Sequence, residues 1–428
     1  GGFAPGVYSK LDAKIDQRWP AFADLDGDGA TDIAYVSTHL HVARGDGLGG
    51  FTSALRIDLP LQSFVQGAAA GDVTGDGALD LVVTYRMLLE VHVFPGDGAG
   101  GFGPAIVLPV PLPLGAPYLA DFDADGDLDV LAMALNPGTS AGHGILVAHL
   151  DGQGGLQGTW VWDAKPPPSF SSVRITDLDG DGGIDALDIG SALSPGLLVA
   201  RFQPGSTVPF VYSLGSLGPG KSVSDLDHAD VDGDGLGDLV FTMYDGSVYA
   251  DSRAKVYRSV VGGGFVPLAE LVIDHVVPSY KARALGFHAD GDGILDIVTT
   301  GTAGFQVHRA VAPGVFRTAE DLKEQSSTLQ FESIVEAADA DGYGDADLVS
   351  LAGFYSRVLW NDGHGAFMVG PPLQGIHTSQ VGDVEWADLN ADGVLDLVWS
   401  QTIKHEIRAS LGDGNGGFQP AAPSLAGQ

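Results

Sequence analysis

Short apolar runs recur along the chain, each entered from a polar, glycine-rich stretch. In the first such unit, Trp19 to Ala23 leads into an acidic loop and Asp32 to Ser37 leaves it as a strand holding Ile33-Ala34-Tyr35-Val36. Leu40 to Arg44 reads as a third strand, and a glycine turn at Gly45-Asp46-Gly47-Leu48-Gly49-Gly50-Phe51 feeds a fourth that ends near Leu59. Glycine suits that turn because it adopts positive φ without a Cβ penalty. No window sustains a helical apolar period, so the pattern predicts a largely all-β chain. Four short antiparallel strands in roughly fifty residues are the signature of a propeller blade.

The acidic loop fixes the count. It reads Asp24-Leu25-Asp26-Gly27-Asp28-Gly29-Ala30-Thr31-Asp32 in the first unit and restarts at Asp72, Asp121, Asp177, Asp230, His288, Asp339 and Asp388. Eight units predict an eight-bladed β-propeller in one domain, 1–428. Blades then start near 19, 67, 116, 171, 224, 283, 333 and 383, with 1–18 as an extra closing strand.

Oxygen donors on alternate residues of a glycine-containing turn are calcium chemistry, since a hard cation takes several oxygens at about 2.3–2.6 Å. The expected ligands are Asp24, Asp26, Asp28 and Asp32; Asp72, Thr74, Asp76 and Asp80; Asp121, Asp123, Asp125 and Asp129; and Asp177, Asp179, Asp181 and Asp185. In the second half they are Asp230, Asp232, Asp234 and Asp238; Asp290, Asp292 and Asp296; Asp339, Asp341 and Asp347; and Asp388, Asn390, Asp392 and Asp396. His288 replaces the first Asp of one loop and Tyr343 the fifth residue of another, and neutral imidazole is a poor calcium ligand. Six to eight calcium ions are therefore expected. An EF-hand is excluded, because the last ligand stands at position nine and a strand follows it.

The glycine turn returns as Gly96-Asp97-Gly98-Ala99-Gly100-Gly101-Phe102, Asp151-Gly152-Gln153-Gly154-Gly155-Leu156, Gly262-Gly263-Gly264-Phe265, Asp362-Gly363-His364-Gly365-Ala366-Phe367 and Gly412-Asp413-Gly414-Asn415-Gly416-Gly417-Phe418. Gln203-Pro204-Gly205 and Ala312-Pro313-Gly314-Val315-Phe316 are degenerate versions. Gly1-Gly2-Phe3-Ala4-Pro5 copies Gly416-Gly417-Phe418-Gln419-Pro420, so one fourth strand is surplus. Either copy could complete blade eight.

Charge sharpens the metal argument. The chain has 428 residues, 55 acidic against 21 basic, and a formal net charge of −34. Of the 32 slots at positions one, three, five and nine, 28 are Asp, so without cations the loops would repel themselves. The same balance excludes a nucleic-acid partner, which needs a basic footprint. No stretch is apolar and long enough to span a membrane. Cysteine is absent, so disulfides play no part. Weak individual calcium loops need near-millimolar calcium, which points to a secreted, extracellular protein. A start at Gly1, with neither initiator Met nor signal peptide, reads as a processed or trimmed chain.

The Asp-x-Asp-Gly-Asp-Gly-x-x-Asp loop running into Asp-Leu-Val-Val, paired with Gly-Asp-Gly-x-Gly-Gly-Phe, resembles the FG-GAP/VCBS repeats. Such repeats build the propellers of integrin α-chains and of many secreted bacterial and fungal proteins, including lectins and polysaccharide lyases. The resemblance covers nearly the whole chain. It implies calcium loops between strands 1 and 2 of each blade, with the 3–4 turns at the same end. The 2–3 and 4–1 connections then lie at the opposite end, where sequence is irregular and binding residues concentrate.

Long 2–3 loops are expected at Ala134 to Gly144, Ile189 to Gly196 and Tyr244 to Ala254, and long 4–1 connections at Trp160 to Phe170 and His275 to Arg283. Aromatics expected at that end are Trp19, Tyr85, Tyr118, Trp162, Phe170, Tyr244, Tyr280 and Tyr355. Aromatic faces stack on sugar rings, so Trp162, Lys165, Phe170, Tyr244 and Tyr280 form the expected ligand site, for a carbohydrate or glycoprotein bound by a monomer. The competing reading is a polysaccharide lyase. His275 or Tyr280 would abstract the proton α to a uronic-acid carboxylate, with Lys281 or Arg283 stabilising the enolate. Arg86 and the cluster Arg253, Lys255 and Arg258 are further basic candidates, or simply balance charge. A protein-binding adhesion module is the third reading. The sequence leaves open whether the chain is an enzyme.

Overall fold

The computed structural model describes residues 21–420 except 37–38, 48–49, 53–54, 61–63, 136–141, 164–173, 190–196, 214–220, 246–251, 262–263, 274–283, 302–303, 318–319, 323–331, 353–356, 372, 374–380, 391, 402–405 and 415–417. The fold is all-β, an eight-bladed propeller of four-stranded antiparallel sheets, seven of them formed by strands consecutive in sequence. Blades 1, 2, 3 and 8 belong to one compact unit and blades 4 to 7 to a second.

Inside each unit, adjacent blades pack through alternate residues of the same strand. In blade 1 the second strand, Asp32–Val36, is buried throughout. Ile33 and Tyr35 pack against Leu389, Val398 and Ala409 of blade 8, while Ala34 and Val36 join Leu81, Val83 and Tyr85 of blade 2. Val82 of that next blade points the other way, toward Val130 and Leu146 of blade 3. The second unit repeats this: Leu239 and Phe241 face blade 4, and Val240 faces blade 6. Successive side chains leave opposite faces of a strand, so a run such as Asp-Leu-Val-Val fills two cores at once. That is why the run is apolar without strict alternation.

Several elements differ from the sequence expectation. Blade 8 takes its fourth strand from the C-terminal copy, Phe418–Pro420; Gly1 to Tyr8 lie outside the described residues. Of the expected loop Ala134 to Gly144, the described residues at both ends are strand, with Ala134 opposite Gly144, and Met243 likewise pairs with Arg253. Trp160 to Asp163, expected in a connection, extend the fourth strand Leu156–Asp163. Aromatic and β-branched residues there favour continued pairing over a loop. In blade 6 the 3–4 turn has grown into its own ribbon, Ala310–Ala312 with Val315–Phe316, and the fourth strand follows at Glu320–Leu322.

Candidate metal centre

The acidic loops join the first and second strands of all eight blades, and their carboxylates hold the loop backbone. The ninth-position aspartates are at most 1 % exposed. In blade 1, Asp32 Oδ2 accepts the N–H of Leu25 at 2.9 Å and Oδ1 accepts that of Gly45 at 2.7 Å. The same pair of bonds, from the loop's second residue and from the residue after the third strand's last side chain, recurs in the other seven blades. The second residue is a buried apolar plug, such as Leu25, Phe122 or Leu178. Each ninth aspartate therefore fastens the loop to the far side of its own sheet.

First-position aspartates stitch the loop internally. Asp24 accepts from Gly27 at 2.8 Å and Gly29 at 3.0 Å, and Asp230 accepts from Gly233 at 2.7 Å and Gly235 at 2.9 Å. His288 cannot do this, and its Nδ1 lies 3.2 Å from the carbonyl of Ile294 instead. Fifth-position aspartates each accept one N–H two residues ahead, as Asp28 does from Ala30 and Asp292 from Ile294, both at 2.8 Å.

Four third-position side chains are left with a buried oxygen that nothing satisfies. Thr74 Oγ1, Asp123 Oδ1, Asp179 Oδ1 and Asp232 Oδ1 are buried and have no hydrogen-bond partner. A buried oxygen without a donor is costly, and a cation among the carboxylates would offset that cost. Candidate ligand oxygens of Asp24, Asp26 and Asp32, of Asp121, Asp123 and Asp125, and of Asp177, Asp179 and Asp185 lie within 4.8 Å of one another in each group. The donors are hard oxygens only, so the residues fit calcium better than a transition metal.

Blade 7 contains a candidate ligand outside the four expected slots. Asp345, at position seven, joins Asp339, Asp341 and Asp347 in one such group, and its Oδ1 is also a buried orphan. It supplies the carboxylate lost where Tyr343, 75 % exposed, occupies position five. The signal was present in the sequence, an aspartate two residues past the gap.

Burial dominates the electrostatics here. It pushes Asp185 and Asp347 up to about 7, and Asp238 and Asp396 up to about 6, against the opposing pull of their backbone N–H donors. Asp32, Asp123, Asp181, Asp296 and Asp345 are raised in the same direction by the same cause.

At the opposite end of the blades the described residues give a different picture from the sequence. Tyr85 is fully buried, edge-on to His92, with its hydroxyl 3.1 Å from Nδ1 and Glu90 3.0 Å beyond on Nε2. Its apolar neighbours in the blade 1–2 core, not solvent, claim its ring. Tyr118 is half-buried. Arg253 and Lys255 both contact Glu270, at 3.3 and 2.9 Å, whereas Arg258 lies at the acidic-loop end against Asp232, so these basic residues balance charge. Trp162 pairs through its backbone with Ile145, and Tyr244 with Ser222. Trp19, Lys165, Phe170, His275, Tyr280, Lys281, Arg283 and Tyr355 lie outside the described residues.

A group that sequence reasoning passed over stands at this end of blade 2. Phe64 is 65 % exposed, and its backbone adopts φ 46°, which is uncommon for any residue but glycine. Its carbonyl accepts the N–H of Arg86 at 2.9 Å, which ties the connection before blade 2 to that blade's 2–3 turn. Met87 and Leu89 of the same turn are also exposed.

Comparison with known proteins agrees with the repeat architecture. An FG-GAP-like repeat model matches residues 24–83 and 72–132. A search of the curated proteins finds no match. Among solved structures, Saccharomyces cerevisiae Sqt1 is similar at 11 % identity and TM-score 0.58, over 95 % of this chain and 99 % of that one. An Agrocybe aegerita lectin, solved for specific recognition of non-reducing terminal N-acetylglucosamine, is 18 % identical with TM-score 0.49, over 94 % of this chain and 92 % of that one. A Lactobacillus plantarum protein is 12 % identical with TM-score 0.47, over 77 % of this chain and 90 % of that one. Only the first of these likenesses bears on the fold, and it bears on nothing else.

Proposed function

We infer that this chain, which belongs to the FG-GAP/VCBS repeat β-propeller family, is a calcium-stabilised module that binds carbohydrate at the end of its blades opposite the acidic loops. One observation carries the binding reading: Phe64 is presented to solvent on a backbone held in the left-handed region, and Met87 and Leu89 of the turn bonded to it are exposed as well. A strained backbone persists only where its surroundings enforce it, and such positions gather at ligand sites. An exposed aromatic ring offers a stacking platform for the C–H face of a sugar. The buried oxygens that lack donors support calcium in the loops, where its role would be to hold the blades. Loops of this kind fill at near-millimolar calcium, so we place the protein outside the cell.

No helix among the described residues is long and apolar enough to cross a membrane. The lyase reading gains no support from the described basic residues, because Arg253 and Lys255 are engaged by Glu270. A glycan array followed by titration calorimetry tests the proposal. The wild type should bind at least one glycan class, and Phe64→Ala should weaken it about tenfold, the loss of one stacked ring. Absence of glycan binding, or binding that Phe64→Ala leaves intact, overturns it. An unsaturated product absorbing in the ultraviolet during incubation with uronic-acid polymers would establish the lyase instead.

A further inference from the structure

The residue that closes the third strand of each blade stands just before the N–H captured by the ninth aspartate. In five blades it is basic: Arg44, His149, Arg201, Arg258 and Arg309. All five reach the third-position carboxylate of their own loop, and His149 also lies 3.0 Å from the ninth-position Asp129. Arg44 lies 3.4 Å from Asp26, His149 3.5 Å from Asp123, Arg201 2.6 Å from Asp179, Arg258 3.6 Å from Asp232 and Arg309 3.3 Å from Asp290.

In the other three blades the position holds Pro95, Trp360 or Leu411. Two of their loops also lack the third carboxylate, having Thr74 and Asn390 there. Basic residue and third carboxylate thus occur together or are missing together in seven of the eight blades. Blade 7 breaks the rule. It keeps Asp341, adds Asp345, and has Trp360 where the cation would stand.

We propose that this basic residue is a resident cation that neutralises the third carboxylate and so sets how strongly its loop demands metal. The inference rests on the calcium reading above and divides the loops into two classes. Calcium affinity follows the charge its ligands supply, and a guanidinium a few ångströms from the ion both repels it and occupies a ligand. Four carboxylates less one guanidinium leave loops 1, 4 and 5 with the same charge as loops 2 and 8, which have three carboxylates and no guanidinium. Loop 7, with four carboxylates and no basic partner among the described residues, is tighter than these five; loop 3 carries a fifth carboxylate, Asp127, and a histidine in place of the guanidinium. Loop 6, with His288 at its first position and Arg309 beside Asp290, is the weakest.

The arginines also fasten neighbours. Arg44 donates to the carbonyl of Ala99 at 2.6 Å in the next blade's turn, and Arg309 donates to His364 and Gly365 at 3.2 and 2.7 Å. A resident cation thus holds two blades in place whether or not metal is present.

The test counts ions. Calcium bound at equilibrium, and melting temperature in calcium and in chelator, are measured for the wild type, Arg201→Met and Arg258→Gln. Arg201 is buried against Asp179, whereas Arg258 is about half exposed and its loss endangers folding least. Each variant should tighten one site by about tenfold, a change of one ligand charge. Each should also lose more of its melting temperature in chelator than the wild type and recover it in calcium. Trp360→Arg should do the reverse and loosen the site in loop 7. Calcium that binds the wild type and both variants alike overturns the resident cation and leaves the calcium reading standing. Calcium that binds none of them overturns both.

Discussion

The Asp238 carboxylate holds the backbone N–H of Ser259 at 2.8 Å on one oxygen and that of Val231 at 2.9 Å on the other. One buried side chain thereby closes blade 5 between its acidic loop and its third strand. Asp238→Asn would turn one acceptor into an N–H facing an N–H. The loss of a charge-assisted bond and the stranding of a buried donor should cost about 2–4 kcal/mol. Urea unfolding in saturating calcium checks this. A midpoint within error of the wild type would show that the carboxylate adds to stability neither as acceptor nor as ligand, because a weakened ion site also lowers the midpoint.

Much of this blade plan was legible in the sequence because it repeats. The ninth aspartate, the glycines and the apolar run recur eight times, and each recurrence reports the same local physics. What the sequence concealed was the double duty of that aspartate, since a spacing rule for ligands reads it as metal chemistry and not as a backbone fastener. Tyr85 was misjudged for a related reason. It ends the apolar strand Asp80–Tyr85, where alternation sends its ring into the core shared with blade 1. Phe64 was missed because nothing in its neighbours' identities announces a left-handed backbone.

Acidity should stabilise the metal-free protein before it destroys it. Asp185 and Asp347 are pushed to about 7, and Asp238 and Asp396 to about 6. The unfolded chain titrates near 3.9. Between those values the folded state keeps protons that the unfolded state releases, so stability falls as pH rises from about 4 to about 7. In chelator the melting temperature should therefore be higher at about pH 5 than at about pH 8. Calcium favours the ionised carboxylates, so in its presence that difference should vanish or reverse. Melting curves independent of pH in chelator would contradict the burial argument.

Ala124 occupies the fourth position of its loop at φ 57°, where Gly27, Gly180 and Gly342 sit at 74°, 71° and 79° in theirs. A Cβ in that region costs roughly 1–2 kcal/mol, of which part is returned because glycine is freer when unfolded. Ala124→Gly should raise stability by about 0.5–1 kcal/mol, read as a higher urea midpoint at unchanged slope. A lower midpoint would mean that the alanine methyl packs against something worth more than the strain.

His288 is the last irregular loop residue, and restoring it tests how far the internal stitch depends on metal. Seven loops have a first-position aspartate whose carboxylate accepts the N–H of the sixth residue, at 2.8–3.0 Å. His288 offers no such acceptor toward Gly293. His288→Asp would supply it, and would also add a fourth carboxylate to Asp290, Asp292 and Asp296. In calcium both changes favour the fold, and a gain of about 1–2 kcal/mol is expected from one charge-assisted bond. In chelator the new bond is opposed by repulsion among four carboxylates that Arg309 only partly offsets, so the gain should shrink or change sign. Unfolding measured in both conditions separates the two contributions. An equal gain with and without calcium would show that the stitch is a backbone matter and that this loop takes no ion.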